Sequence, residues 1–119
     1  MTSALVFAGG AAFAGTVSTA LSNGRLSLSA DDGCVVTGNC NVYYSVTSYT
    51  KTGGSTVDIR LAIDTGNSLY KTDLMSISSG QTKSKSWGAL RKSDAEGCSV
   101  AGYMNASTGN YYTPNLQVC

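Results

Sequence analysis

"NVYYSVTSYTKTGGSTVDIRLAID", residues 41–64, decides the fold, because it carries the longest alternating apolar pattern in the chain. Val57, Ile59, Leu61 and Ile63 alternate with Asp58, Arg60, Ala62 and Asp64, the period of two that marks a half-buried β-strand. In the run before it, Val42, Tyr44 and Val46 share one face. With Gly53-Gly54 as a two-residue turn, Tyr44 faces Ile63, Val46 faces Leu61, Ser48 faces Ile59 and Thr50 faces Val57. A one-residue slip would oppose Val46 to Arg60 or Ala62 and spoil that match. The expected hairpin buries Val42, Tyr44 and Val46. It turns Tyr43, Tyr49 and Arg60 outward, near Thr47 and Asp58, as a candidate binding surface. Tyrosine and arginine are favoured at interfaces, although tyrosine is equally a good strand former.

Outward from this stretch the same style continues. Asn23-Gly24 sits between two alternating runs and predicts a tight hairpin. Asp31-Asp32-Gly33 ends the second run. "DTGNS" (64–68) and "SSGQ" (78–81) are turns, and Leu69, Leu74 and Ile77 are expected in the core. "TKSKSW" (82–87) alternates but is polar, as an edge strand with lysines that discourage pairing would be. No window has a 3.6-residue period. About eight short strands at regular spacing predict an all-β, antiparallel β-sandwich in one domain, with a small barrel as the alternative.

The 119 residues suffice for one domain. Charged residues make up 13%, about half the usual share, and the net charge is +1. That balance gives no electrostatic case for nucleic acid as a partner. Four cysteines stand at 34, 40, 98 and 119, and three connectivities are possible. Pairing Cys34 with Cys40 and Cys98 with Cys119 is expected, since each closes a short local loop. The longer loop contributes about 3 kcal/mol in the chain-entropy model.

"ALVFAGGAAFAG" (4–15) is a small, apolar run containing Ala12-Phe13-Ala14, a signal-peptidase type of site. Ser18-Thr19-Ala20 is a second such site. Residues 1–20 are therefore expected to be a processing segment, cleaved after Ala14 or Ala20, and residues 21–119 the mature domain. The run is too short for a membrane span. No lysine or arginine precedes it, so the expected start lies further upstream; the alternative is that residues 4–15 form a buried strand. The leader and the cysteines together predict a secreted, extracellular protein.

The chain has no histidine, which excludes Ser-His and Cys-His nucleophile systems and the commonest metal ligand. Asp31-Asp32 is the one adjacent acidic pair and reads as turn chemistry. Ser48-Tyr49-Thr50-Lys51 and Lys51-Thr52-Gly53 fit short motifs of penicillin-recognising enzymes, but they share one lysine in a chain far too small for that fold. "DTGNSLYKTD" (64–73) is rich in oxygen side chains and lacks the calcium-loop spacing. No catalytic residue, cofactor or metal is expected, so the protein is read as a non-enzyme. Lys83, Lys85, Arg91 and Lys92 gather around Trp87, the one tryptophan, and in alternation Lys83, Lys85 and Trp87 share a side. They form the second candidate binding group beside Tyr43, Tyr49 and Arg60. Tyr103, Tyr111 and Tyr112 cluster near the C-terminus. Asn105-Ala106-Ser107 fits a glycosylation sequon, meaningful in a eukaryote.

With its leader run, two cysteine pairs and Ser/Thr/Gly-rich body, the chain resembles the small secreted two-disulfide β-proteins of actinomycetes. The subtilisin-inhibitor type is similar in length and disulfide number, but Cys119 departs from it. Its Pro-rich reactive loop has no counterpart in a chain whose one proline is Pro114. Neocarzinostatin-type chromoproteins are similar in class and differ in cysteine spacing. The adaptor subunits of umbrella toxin particles are similar in size and secretion. No residue role carries over from any of these. The expected function is binding a secreted or cell-surface protein, as adaptor, inhibitor or toxin-complex subunit; the alternative is a carbohydrate-binding module using Tyr43, Tyr49 or Trp87. The intact mass of the mature protein checks the leader and the cysteines together. Cleavage after Ala14 or Ala20 gives distinct masses, and two disulfides lower either one by two hydrogens each.

Overall fold

The computed structural model describes residues 15–119. Ten strands follow in order: β1 (Gly15–Leu21), β2 (Gly24–Asp32), β3 (Val42–Lys51), β4 (Val57–Asp64), β5 (Leu69–Lys71), β6 (Met75–Ile77), β7 (Thr82–Arg91), β8 (Ser99–Ala106), β9 (Gly109–Tyr112) and β10 (Leu116–Gln117). One helical turn, α1 (Gly33–Val36), separates β2 from β3. All pairings are antiparallel. The first sheet runs β1-β2-β3-β7. The second has β4 and β8 at its centre, with β5 and β6 on the far side of β4 and β9 and β10 on the far side of β8. The fold is the expected all-β sandwich, closed by Cys34–Cys40 and Cys98–Cys119. The expected leader lies largely outside the described residues, but its second cleavage point, Ala20, falls inside β1, which is fully paired with β2.

The hairpin expected at residues 41–64 does not form. β3 pairs with β2 and β7, whereas β4 pairs with β5, β6 and β8. The two strands lie in opposite sheets, and residues 52–56 cross between them, so none of the four expected cross-strand pairs exists. The face of β3 is also inverted. Tyr43, Ser45, Thr47, Tyr49 and Lys51 are buried, while Tyr44, Val46 and Ser48 are half-buried on the outside. β4 keeps its expected phase, with Ile59, Leu61 and Ile63 fully buried.

Thr47 accounts for the inversion. It has no exposed surface, its Oγ1 donates to the Ala62 carbonyl of the opposite sheet at 2.9 Å, and it accepts from Trp87 Nε1 at 2.9 Å. A buried hydroxyl is tolerated when it is fully bonded, and this one joins both sheets and the edge strand. The outer hydroxyls of the first sheet satisfy one another: Thr16 with Ser29, Ser48 with Ser84, Thr50 with Thr82. The core lies in two clusters between the sheets. One is built on Leu28, Tyr43, Ile63, Val100 and Val118, the other on Leu26, Tyr49, Ile59, Leu61, Ile77 and Met104. Each such side chain contributes roughly 1.5–3 kcal/mol by leaving water. Leu69 and Leu74, expected inside, are 47% and 55% exposed: Leu69 lies on β5, a three-residue edge strand, and Leu74 on the link from β5 to β6.

Two local readings sharpen. The loop between β1 and β2 is Ser22 and Asn23, because Leu21 pairs with Gly24. Gly24 is needed for close approach, since a Cβ there would collide with the Thr50 carbonyl of the neighbouring strand. Asp32 is the N-cap of α1, accepting from the Cys34 amide at 2.9 Å, and pairs with Lys92 at 2.9 Å. The Lys92 hydrogen bond first, and then the Cys34 amide, hold its carboxyl below the ordinary carboxylate range.

Thr47→Val keeps the shape and removes both bonds. It leaves the Trp87 N–H unpaired, at about 1–3 kcal/mol for a group left buried, and removes the link to the Ala62 carbonyl of the other sheet. Urea unfolding should therefore shift to clearly lower midpoints for Thr47→Val, with Thr47→Ser much closer to wild type.

Candidate functional site

The outer face of the second sheet is organised by its ladder registers, which stack side chains in rows across the strands. Tyr112 lies opposite Tyr103, Tyr103 opposite Ala62, and Ala62 opposite Lys71. The next row runs Asn110, Asn105, Arg60, and on the other side Ala101 lies opposite Asp64 and Asp64 opposite Leu69. β8 and β9 form a hairpin around Ser107 and Thr108, whose register sets the two tyrosines directly side by side. Their rings stack with centroids 4.5 Å apart and planes at 27°, and Tyr112 remains 51% exposed. Burial first, and then the Tyr103 hydroxyl and Asp64, push the Tyr112 phenol up.

Beside Tyr112 the face opens into a groove of about 410 Å³, walled by Asp64, Glu96, Ala101, Thr113 and Asn115. Two loops bring the carboxylates together. Asp64 Oδ1 accepts from the Gly66 amide at 2.9 Å and shapes the β4–β5 turn. The Glu96 amide donates to the Thr65 carbonyl at 2.8 Å, and Asn67 Nδ2 donates to the Asp94 carbonyl at 2.9 Å, so the segment before β8 is fastened to that turn. Neither Asp64 nor Glu96 has an ion-pair partner among the described residues, where Lys92–Asp32 is the one salt bridge. A carboxylate pair beside an aromatic wall favours a cation. No group of three His, Cys, Asp or Glu with metal-holding geometry occurs among the described residues.

Of the residues singled out in the sequence, Arg60 lies on this face, half-buried, its Nη1 donating to the Thr72 carbonyl at 3.2 Å. Tyr43 and Tyr49 do not. They are 1% and 4% exposed, one in each core cluster, because the phase of β3 turns odd-numbered residues inward. Lys83, Lys85 and Trp87 share one side of β7 as expected, but it is the inner side of an edge strand, with Lys83 opposite Tyr49 and Lys85 opposite Thr47. Trp87, expected with these lysines as a binding group, turns toward the core instead. A bulge sets Trp87 and Gly88 against Ser45, re-aiming the side chain. The indole packs half-buried on the Tyr43 cluster, its N–H held by Thr47. Lys85 Nζ sits 6.0 Å from the ring centroid. Ser48 and Lys51 fall on opposite faces of β3, so the enzyme-like motif they make in sequence has no counterpart in space. Tyr103 and Tyr112 were legible as members of a cluster; the signal that could have paired them is the two-residue Ser107-Thr108 turn set symmetrically between them.

The Tyr43 hydroxyl is buried without a hydrogen-bond partner, and burial first, then Asp94 and Tyr70, push its phenol up to about 12. A raised phenol pKa favours the folded state below the unfolded value near 10, and that contribution is lost as pH rises from there through the folded value. Tyr43→Phe should therefore be as stable as wild type or more so at neutral pH, and should resist alkaline unfolding above about pH 10, as followed by circular dichroism. Compared with protein-family models, curated proteins and solved structures, the chain matches none.

Proposed function

We propose that this protein is a secreted, non-enzymatic binding module that docks a partner protein through the outer face of its second sheet. The observation that carries this reading is the Tyr103–Tyr112 stack beside a groove whose two carboxylates lack ion-pair partners among the described residues. Stacked tyrosines offer large contact area at small entropic cost. The unpaired Asp64 and Glu96 select a partner that inserts a lysine or arginine between them and the Tyr112 ring. Arg60 and the two asparagines supply a polar rim.

Secretion rests on the apolar leader run and the two disulfides, bonds that persist in oxidising compartments. Cleavage after Ala14 leaves β1 whole, whereas cleavage after Ala20 would remove most of it, so Ala14 is the favoured site. No helix among the described residues is long and apolar enough to cross a membrane. The role as adaptor, inhibitor or toxin-complex subunit, and the kinship with small actinomycete β-proteins, belong to this same reading. The glycan alternative loses the support of Tyr43 and Tyr49, whose rings lie in the core.

The test is capture from the culture medium of the source organism on immobilised wild type, Tyr112→Ala and Glu96→Lys. Wild type should retain a protein with a basic contact surface, and each variant should retain at least tenfold less, a typical hot-spot loss. Equal retention on all three columns, or glycan-array binding with no retained protein, would overturn the proposal.

A further inference from the structure

A sheet edge exposes a row of unpaired N–H and C=O groups, and proteins normally blunt it. Most edges of this molecule are blunted. In the second sheet β5 and β6 are three residues long, β9 four and β10 two. In the first sheet β7 is long, but it carries Lys83 and Lys85 and a bulge against Ser45. β1, at the other edge of that sheet, has none of these devices. Its residues, Gly15–Leu21, include no charged side chain and no proline, and its register against β2 is unbroken.

That register shows which main-chain groups face outward. Leu21 pairs with Gly24 across a two-residue loop, so these two exchange both of their main-chain bonds. The alternation of an antiparallel ladder repeats the exchange at Thr19, Val17 and Gly15. Thr16, Ser18 and Ala20 therefore turn their N–H and C=O groups away from β2. Among the described residues β1 makes main-chain bonds to β2 alone. The second sheet meets it through a side chain, the Thr19 hydroxyl donating to the Tyr112 carbonyl at 2.8 Å.

A row of alternating donors and acceptors is matched by another strand, and β1 matches itself. Laid antiparallel on a second copy with Ser18 opposite Ser18, it sets Thr16 opposite Ala20 and Val17 opposite Thr19. The Ser18 pair and the two Thr16–Ala20 pairs are then the bonded ones. Six hydrogen bonds satisfy every outward N–H and C=O of both strands. A slip of two residues either way leaves Thr16 or Ala20 unmet. On the outer face small side chains meet small ones, and on the inner face the half-buried Val17 and Thr19 cover each other. No like charges oppose one another, whereas two copies of β7 would bring lysines together. The pairing is that of the mature chain and so rests on cleavage after Ala14, which makes Gly15 the N-terminus. The two terminal ammonium groups then lie at opposite ends of the ladder, about 20 Å apart.

We infer that the protein forms a twofold dimer by joining β1 to β1. The contact is isologous and closes on itself, and it merges two four-stranded sheets into one of eight strands. It leaves the outer face of the second sheet available to a partner.

The experiment is sedimentation equilibrium of the secreted, oxidised protein from micromolar to millimolar concentration, with the intact mass measured on the same sample. Wild type should pass from the mass of one copy to that of two. Ser18→Ala keeps the main chain and should dimerise like wild type. Ser18→Pro removes an N–H that bonds nothing within one copy, so it should fold. It should weaken the dimer at least tenfold, as the loss of two hydrogen bonds predicts. Ser86→Lys, on the β7 edge, should change nothing. A monomer throughout the range, a Ser18→Pro dimer as tight as wild type, or a dimer weakened by Ser86→Lys would each overturn the inference. Should Ser18→Pro fail to fold, Ser18→Cys decides. Facing Cα atoms about 5.5 Å apart permit a disulfide, and oxidation that yields no linked dimer would overturn the inference. The intact mass tests the leader separately, and a monomer overturns the dimer whichever start that mass shows.

Discussion

The bond from Thr47 to the Ala62 carbonyl is the contact on which the arrangement of the two sheets depends. It crosses the interior at a point where both partners have no exposed surface, and the hydroxyl is at the same time the acceptor for Trp87 on the edge strand. Three elements, β3, β4 and β7, thus meet at one oxygen. Any shift of β3 by one residue puts Val46 or Ser48 in that place, strands the Trp87 N–H, and sends Tyr43 and Tyr49 to the surface. The phase of β3 then determines what the outer face of the first sheet can be: mutually bonded serines and threonines, with little left over to offer a partner.

How far this was legible from sequence differs strand by strand. β4 announces itself, because Val57, Ile59, Leu61 and Ile63 stand against charged neighbours. β3 does not, because Val42, Tyr44 and Val46 on one face and Tyr43 and Tyr49 on the other are nearly equal in hydropathy. Its phase is settled by a hydrogen bond to a residue fifteen positions away in another sheet, which no local pattern contains. Gly53-Gly54 reads as a hairpin turn and serves instead in a crossover, because turn chemistry says that the chain bends without saying which sheet it re-enters. The disulfide pairing was readable, since both loops are local. Lys51 was not: a lysine beside glycines looks like a turn charge, and only the packing of the chain around it shows a side chain that is 2% exposed.

The same limit explains the candidate face. Arg60 was found because β4 was read correctly. The tyrosines beside it were misassigned because those nearest in sequence, Tyr43 and Tyr49, belong to the opposite sheet, while those nearest in space, Tyr103 and Tyr112, arrive from the last hairpin. The polar character of the molecule is divided accordingly, with hydroxyls on one sheet and aromatic rings, amides and unpaired carboxylates on the other. Sandwiches commonly solvate both outer faces; here one of them is chemically quiet and the other is not.

The placement of the disulfides bears on how such a chain reaches its native state. Cys34–Cys40 closes the link between two strands of the first sheet, and Cys98–Cys119 joins the two ends of the β8–β10 segment of the second. No disulfide ties one sheet to the other among the described residues. Oxidation of both pairs is therefore compatible with a chain whose sheets have not yet met. The slow event is the docking of sheets that exchange strands at the 52–56 crossover and again around β7, the non-local kind of closure that places β-sandwiches in the millisecond-to-second range. The chain can thus carry its correct disulfides well before it carries its correct core.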